Sequence, residues 1–442
     1  TATLTGAFDQ RGLAGGSNLT LTAEINGTSY QSDTISVADS VKPGKSFTLT
    51  DGELELTARP VNVSATATLA ASAVSNTDVE FILETESGQL VTTKNANTSN
   101  SKGISSGTKS TKEVNISAGF GGSGINTGDD LTLTANVTAG DTGYPAKEEV
   151  VINNAGAGAR ETVEINLEPN DISVEAAANL STAPVDDTDI TFSLEDSSGN
   201  VLNDTTKTVT RSSPETDNVT LNTSVNGTAL SSGESLYLTI SATDGDTGYA
   251  TQTKRLTPSA TAGATFSRTG VTLNANNTVI TTSAELEVPP GENTQFAFNL
   301  ENTTGKRIAS DVITVLPDKN TTEDIELVAD FSQPAVAAGE TLNLTVQQES
   351  GNDAFRSNTT TVTESLRPGN DTETNTLTLD SINASITAAA ELESAPDKRT
   401  NLSFRVENSN GNEIITKTTT RDQSIAGNSR LSRDVSLNVS FD

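Results

Sequence analysis

Apolar and polar residues alternate with period two along most of this chain, and one such stretch returns four times. Val79-Glu80-Phe81-Ile82-Leu83-Glu84, followed by Gly88, is matched by Ile190-Thr191-Phe192-Ser193-Leu194-Glu195 with Gly199. It returns as Phe296-Ala297-Phe298-Asn299-Leu300-Glu301 with Gly305, and as Leu402-Ser403-Phe404-Arg405-Val406-Glu407 with Gly411. Successive side chains of a strand point to opposite faces, so each stretch predicts a strand with its Phe buried and its Gly in the turn that follows. The Phe positions lie 111, 106 and 106 residues apart.

A second element, Gly-x-x-Leu-x-Leu, also occurs four times, at Gly16 with Leu19 and Leu21, Gly128 with Leu131 and Leu133, Gly233 with Leu236 and Leu238, and Gly339 with Leu342 and Leu344. An aromatic follows each first Leu, as Tyr30, Tyr144, Tyr249 and Phe355, across a turn such as Asp244-Gly245-Asp246-Thr247-Gly248 that reads as a hairpin. In the second repeat the strand candidates are about 163–168, 172–180, 188–195, 203–211, 219–225, 235–243 and 248–257. Seven short strands, here A to G, in about 100 residues predict an all-β chain of tandem immunoglobulin-like seven-stranded sandwiches, about 106 residues per module. The Cys pair and core Trp of antibody domains are missing, so the likeness is one of architecture.

The two repeats run in different frames. The pair assigned to strand A, Leu54/Leu56, Ile165/Leu167, Val271/Leu273 and Leu377/Leu379, stands 25 residues before each Phe when counted from its second member. The expected division is therefore a partial module at 1–48 holding strands E to G, whole modules at 49–158, 159–266 and 267–372, and a partial module at 373–442 holding strands A to E. Strand E of the last part is Val435–Phe441, and Ala2-Thr3-Leu4 aligns with its start as a second copy. Alone, the last part would expose Phe404, Val406, Leu437 and Phe441 beside an open strand edge, and Leu19, Leu21 and Tyr30 of the first part would cover them. Three arrangements satisfy this: head-to-tail completion between copies, which propagates as an open contact; neighbouring modules of a longer array; and closure of one chain into a ring.

Composition narrows the chemistry. The 442 residues include no Cys, Met, His or Trp, which removes disulfides, thiolate and imidazole catalysis, and the usual zinc, haem and iron–sulfur sites. The glutamates Glu84, Glu195, Glu301 and Glu407 recur because the module recurs, at strand ends facing solvent rather than as an acid–base pair. The Asp-rich turns at Asp141 and Asp244 to Asp246 lack the alternating carboxylates and distal Glu of a Ca²⁺ loop, and they read as turn formers. No enzyme, cofactor or metal is expected.

The net charge is −31, from 27 basic and 58 acidic side chains, with only 13 Lys. That excess argues against nucleic acid and anionic membranes as partners. No run approaches the 18 apolar residues of a membrane-spanning helix. Thr1 carries no signal segment, and with no Met the chain reads as a processed or excerpted region.

Asn-x-Ser/Thr occurs 20 times among 39 Asn, where about ten would arise by chance in a chain that is about 27% Ser plus Thr. The sites are Asn18, Asn26, Asn62, Asn97, Asn115, Asn136, Asn179, Asn203, Asn218, Asn222, Asn226, Asn276, Asn302, Asn320, Asn343, Asn358, Asn370, Asn383, Asn401 and Asn438. Chance accounts for half of them, and the excess favours N-linked glycans. Tandem sandwiches, surplus sequons, acidity and few lysines together give the chain a resemblance to archaeal, in particular haloarchaeal, extracellular surface glycoproteins with tandem immunoglobulin-like repeats. The resemblance implies an extracellular, cell-surface role as a filament or surface-layer subunit. Its partners would be further copies of itself, glycans and other surface components, with no direct membrane insertion. The rival expectation is an adhesin stalk or binding module of a longer tandem-repeat protein.

Overall fold

The computed structural model describes residues 4, 13–27, 29–50, 53–97, 102–121, 124–211, 213–226, 229–334, 336–351, 355–373 and 376–440. Phe441 and the second copy of strand E therefore lie outside the described residues, Leu4 apart. All regular structure among those residues is β. A hairpin of β1 (Leu19–Ala23) and β2 (Asp33–Ala38) precedes the first complete sandwich. That sandwich holds β3 (Val61–Leu69), β4 (Asp78–Thr85), β5 (Leu90–Ala96), β6 (Val114–Ala118), β7 (Leu131–Ala139), β8 (Lys147–Ile152) and β9 (Arg160–Leu167). One sheet has the order β6-β3-β9 and the other β5-β4-β7-β8.

The second sandwich repeats this with β10 (Ile172–Leu180), β11 (Thr188–Glu195), β12 (Val201–Val209), β13 (Val219–Thr223), β14 (Leu236–Asp244), β15 (Gln252–Thr257) and β16 (Thr265–Leu273). In the third, the first and last strands are each broken in two: β17 (Thr278–Thr282), β18 (Ala284–Leu286), β19 (Thr294–Asn302), β20 (Arg307–Val315), β21 (Ile325–Ala329), β22 (Leu342–Ser350), β23 (Asn358–Thr363), β24 (Thr372–Glu373) and β25 (Leu377–Leu379). Four strands follow: β26 (Ala384–Ala388), β27 (Ser403–Glu407), β28 (Glu413–Thr418) and β29 (Val435–Val439).

Strict alternation builds the cores. Along β3, Val61, Val63, Ala65, Ala67 and Leu69 are buried and the residues between them are not. Phe81, Phe192 and Phe298 are fully buried, each in its own apolar cluster drawn from both sheets. A hydroxyl completes the first strand of every module where its neighbour ends. Thr111, Thr216, Thr322 and Ser432 accept the amides of Ala67, Ala178, Ala284 and Ala390 at 3.0, 2.8, 2.7 and 2.8 Å.

The strand expected to open each module instead pairs with the module before it. β9 runs parallel to β3 from Asn62↔Arg160 to Leu69↔Leu167, and Ile165 and Leu167 are fully buried in the first core. β16 pairs in the same way with β10, and β25 with β18. By strand pairing, the boundaries between sandwiches thus fall one strand later than the division at 158/159, 266/267 and 372/373. Alternation specifies which face of a strand is buried but not which sheet edge it occupies, and the long register with β3 decides that edge here.

Leu167→Ala should cost about 2–5 kcal/mol. In amide hydrogen exchange of the full chain, the loss of protection is expected in β3 and β6 and not in β10 and β13; the opposite pattern would place β9 with the second sandwich.

Candidate assembly interface

The two flanking segments each hold two-stranded sheets whose pairings recur in the complete sandwiches. In the C-terminal part, β27 pairs with β28 through Phe404↔Lys417, the register of Phe81↔Lys94, Phe192↔Thr205 and Phe298↔Asp311. β26 pairs with β29 through Ile386↔Leu437, as Val63↔Ile116, Val174↔Leu221 and Ile280↔Leu327 do. Among the described residues, β27 has no strand along the edge that β7, β14 and β22 occupy elsewhere, and β26 has no parallel closing strand.

Among the described residues, the hairpin β1-β2 pairs with no further strand. Its bulge after Leu19 recurs after Leu131, Leu236 and Leu342, and the bridge Tyr30↔Ala58 recurs as Tyr249↔Ala275 and Phe355↔Ser381. Leu54 and Leu56 follow at the place of the closing strand.

Burial differs between these segments and the complete sandwiches. Leu19, Leu21, Tyr30, Phe404 and Val406 are half-buried, while their counterparts Leu131, Leu133, Tyr144, Phe81 and Leu83 are buried. Ile386 is 38% exposed where Val63, Val174 and Ile280 are at 0%. Leu437 departs from expectation: it is buried at 1%, because β29 is already seated on β26 within the half. Phe441 lies outside the described residues.

Consecutive sandwiches meet at a backbone relay that the sequence pattern did not disclose. The Asn170 amide donates to the Gly143 carbonyl at 2.7 Å, and the Gly263 amide donates to the Asn170 carbonyl at 2.9 Å. Gly248, Asn276 and Gly369 repeat the relay at 2.8 and 2.9 Å, and Ser29, Arg59 and Gly158 at 2.9 and 2.9 Å. A Cβ on Gly143 would lie 1.8 Å from the Ala262 carbonyl oxygen, and one on Gly248 1.7 Å from that of Pro368, so glycine permits the close approach in these two joints.

Beside the relay sit the Asp residues read as turn formers. Asp141 and Asp246 are buried, and they accept the amides of Val74 at 2.6 Å and Val185 at 2.5 Å, which anchors the turn between the first two strands of the module. Asp246 also pairs with Arg367 of the third sandwich at 2.6 Å, and Arg367 reaches Asp186 at 2.6 Å. In the preceding joint the position of Arg367 is Thr261, and no such ion pair exists among the described residues.

Burial, and after it the Asp141 carboxylate, pushes the Tyr144 hydroxyl up to about 12; burial and then Asp246 raise Tyr249 in the same way. A phenol held neutral by the fold contributes stability that is complete below its ordinary value of about 10 and is lost as pH rises through the folded value.

Of the 20 sequon asparagines, fourteen are exposed: Asn18, Asn26, Asn115, Asn179, Asn218, Asn222, Asn226, Asn276, Asn320, Asn358, Asn370, Asn383, Asn401 and Asn438. Asn62, Asn97, Asn136, Asn203 and Asn343 are half-buried, which leaves Asn302 as the one that is buried. Its carboxamide oxygen accepts from the Thr304 amide at 3.1 Å, the Thr304 hydroxyl at 2.6 Å and the Lys306 amide at 3.0 Å. Asp196 and Asn408 close the equivalent turns, so this side chain serves the hairpin. Among the described residues no group of three or more acidic side chains is placed to hold a metal ion, and no helix is long and apolar enough to cross a membrane.

No family model and no curated protein matches the chain. Solved structures similar to it include the Bacillus anthracis TIE protein, at 9% identity and TM-score 0.33 over 74% of this chain. The matched region spans 55% of the length of that protein. BcpA, the major pilin subunit of Bacillus cereus, is similar at 11% identity and TM-score 0.22 over 73% of this chain and 100% of its own. The major pilin from Streptococcus pyogenes is similar at 13% identity and TM-score 0.19 over 48% and 98%.

Two measurements follow. Titration of tyrosinate absorbance alongside unfolding should show stability falling between about pH 10 and pH 12, with the fall reduced in a Tyr144→Phe, Tyr249→Phe chain. Glycopeptide mass spectrometry of the native protein should find Asn302 unmodified, whatever the occupancy of exposed sites such as Asn222 and Asn438.

Proposed function

We propose that this chain is a structural subunit of an extracellular, glycosylated filament or surface layer. Copies join head to tail, and residues 19–58 of one copy complete the sandwich begun by β26 to β29 of the copy before it. The observation that carries this reading is the complementary deficit. Among the described residues, the edge of β27 lacks the strand that β1 resembles, and β26 lacks the closing strand that Leu54 and Leu56 resemble.

Every complete module supplies the same register for the missing pairs. Phe81↔Ala135, Phe192↔Ile240 and Phe298↔Val346 assign Phe404 to Ala23, and the Leu83, Leu194 and Leu300 pairs assign Val406 to Leu21. Ala284↔Leu377 and Leu286↔Leu379 likewise assign Ala390 to Leu54 and Leu392 to Leu56. Each large apolar side chain gains about 1.5–3 kcal/mol on passing from exposed to buried, and pairing of the strand edge adds backbone hydrogen bonds. The acid-rich, lysine-poor surface and the surplus sequons suit a solvated surface assembly.

A donor-defective chain, Leu21→Lys, and an acceptor-defective chain, Phe404→Asp, test the reading. By negative-stain microscopy and light scattering the unsubstituted protein is expected to form fibres and each variant to remain single. An equal mixture should stop at dimers, since one sound donor meets one sound acceptor. Fibres from either variant alone, or single subunits of the unsubstituted protein at every concentration, would sink the reading.

A further inference from the structure

The three joints inside the chain each end on a glycine in the left-handed region, Gly158 at φ 74°, Gly263 at 66° and Gly369 at 62°. Each lies three residues after the residue whose backbone carbonyl accepts the amide of the Gly opening the Gly-x-x-Leu element: Gly128 to Ala155, Gly233 to Ala260 and Gly339 to Leu366. The hairpin at the start of the chain has the same arrangement, because the Gly16 amide donates to Val41 and Gly44 stands three residues on, at φ 77°.

Among the described residues, Gly44 alone of this set has no upstream relay partner. A Cβ placed on it would meet nothing within 4 Å, whereas one on Gly263 or Gly369 would meet the preceding joint at 3.0 Å. The residue before it tells the same story: Ala262 and Pro368 are buried at their joints, and Pro43 is exposed. At the other end, Ile382 occupies the place of Asn170 and Asn276, counted from the bridge Phe355↔Ser381, and is 41% exposed.

We propose that Gly44 of one copy donates its amide to the Ile382 carbonyl of the copy before it, so that the joint between copies repeats the joint inside the chain. This inference rests on head-to-tail completion and adds a second contact to it, with Pro43 packed beneath Phe355 as Ala262 packs with Tyr144. The first acceptor of the relay tolerates a side chain, since the Ser29 carbonyl accepts the Arg59 amide while Arg59 accepts that of Gly158. The result is a fibre whose sandwiches succeed one another at a constant angle and spacing across subunit boundaries.

Cysteine pairs in the full chain separate this claim from the one beneath it, because the natural chain has no Cys and every disulfide formed is an introduced one. Thr22→Cys with Arg405→Cys reports completion, at the position of Ser193↔Thr239 and Asn299↔Thr345. Gly44→Cys with Ile382→Cys reports the joint. Asn276→Cys with Gly369→Cys is the internal control, where a Cβ on Gly369 lies 3.3 Å from that of Asn276, close to disulfide geometry.

After oxidation, the first two variants are expected to give non-reducing ladders at multiples of 45.7 kDa, and the control to close within one subunit. A ladder from Thr22→Cys/Arg405→Cys and closure of the control, with Gly44→Cys/Ile382→Cys remaining single, overturns the joint and leaves completion standing. Absence of the Thr22→Cys/Arg405→Cys ladder overturns both. Averaged fibre images give an independent readout: evenly spaced beads support the joint, and a bend or wider gap at every fourth bead refutes it.

Discussion

A buried backbone amide or carbonyl needs a partner, and in this chain one sheet edge, the open side of β27, sets the terms for everything around it. In each complete sandwich the same edge is closed by a strand of the Gly-x-x-Leu-x-Leu element, and Phe81, Phe192 and Phe298 disappear from solvent. On β27 the edge is open among the described residues, and Phe404 is half-buried. Open edges of this kind are usually guarded by charge or distortion. Here Arg405 and Glu407 form an ion pair on the strand's outer face, while its inner face remains apolar.

The parallel closing strand gives the chain its direction. β3 and β9 run the same way, so the polypeptide enters and leaves a sandwich along one line and reaches the next through a short link, with Asn170 at its centre. The relay through that residue needs only backbone atoms, which explains how Arg59, Asn170 and Asn276 serve the same position. Side chains tune it locally: Arg367 fastens the second sandwich to the third through Asp246, and Thr261 leaves the preceding joint without that fastening.

The strands and the buried Phe of each complete module were legible in the sequence, because period-two alternation and fixed spacing survive without coordinates. What alternation cannot convey is sheet membership. Ile165 and Leu167 mark a strand with a buried face, yet only the register with β3 shows whose edge it closes. Leu437 departs from the pattern for a related reason, since β29 finds cover by pairing with β26. Gly143 and Gly248 look like ordinary turn glycines until the carbonyls of Ala262 and Pro368 are seen against them. Asn302 satisfies a sequon, but its oxygen is committed to a turn.

The parallel pairing of first and last strands also determines how a sandwich meets force. A pull along the chain enters at β3 and leaves at β9, two adjacent strands held in register over eight residues. The load therefore acts along the strands, in shear, and the ladder of slanted parallel bonds must yield together rather than unzip one bond at a time. Resistance of that kind is a matter of unfolding rate rather than equilibrium stability, so a sandwich of this topology can be slow to give way under load whatever its equilibrium stability.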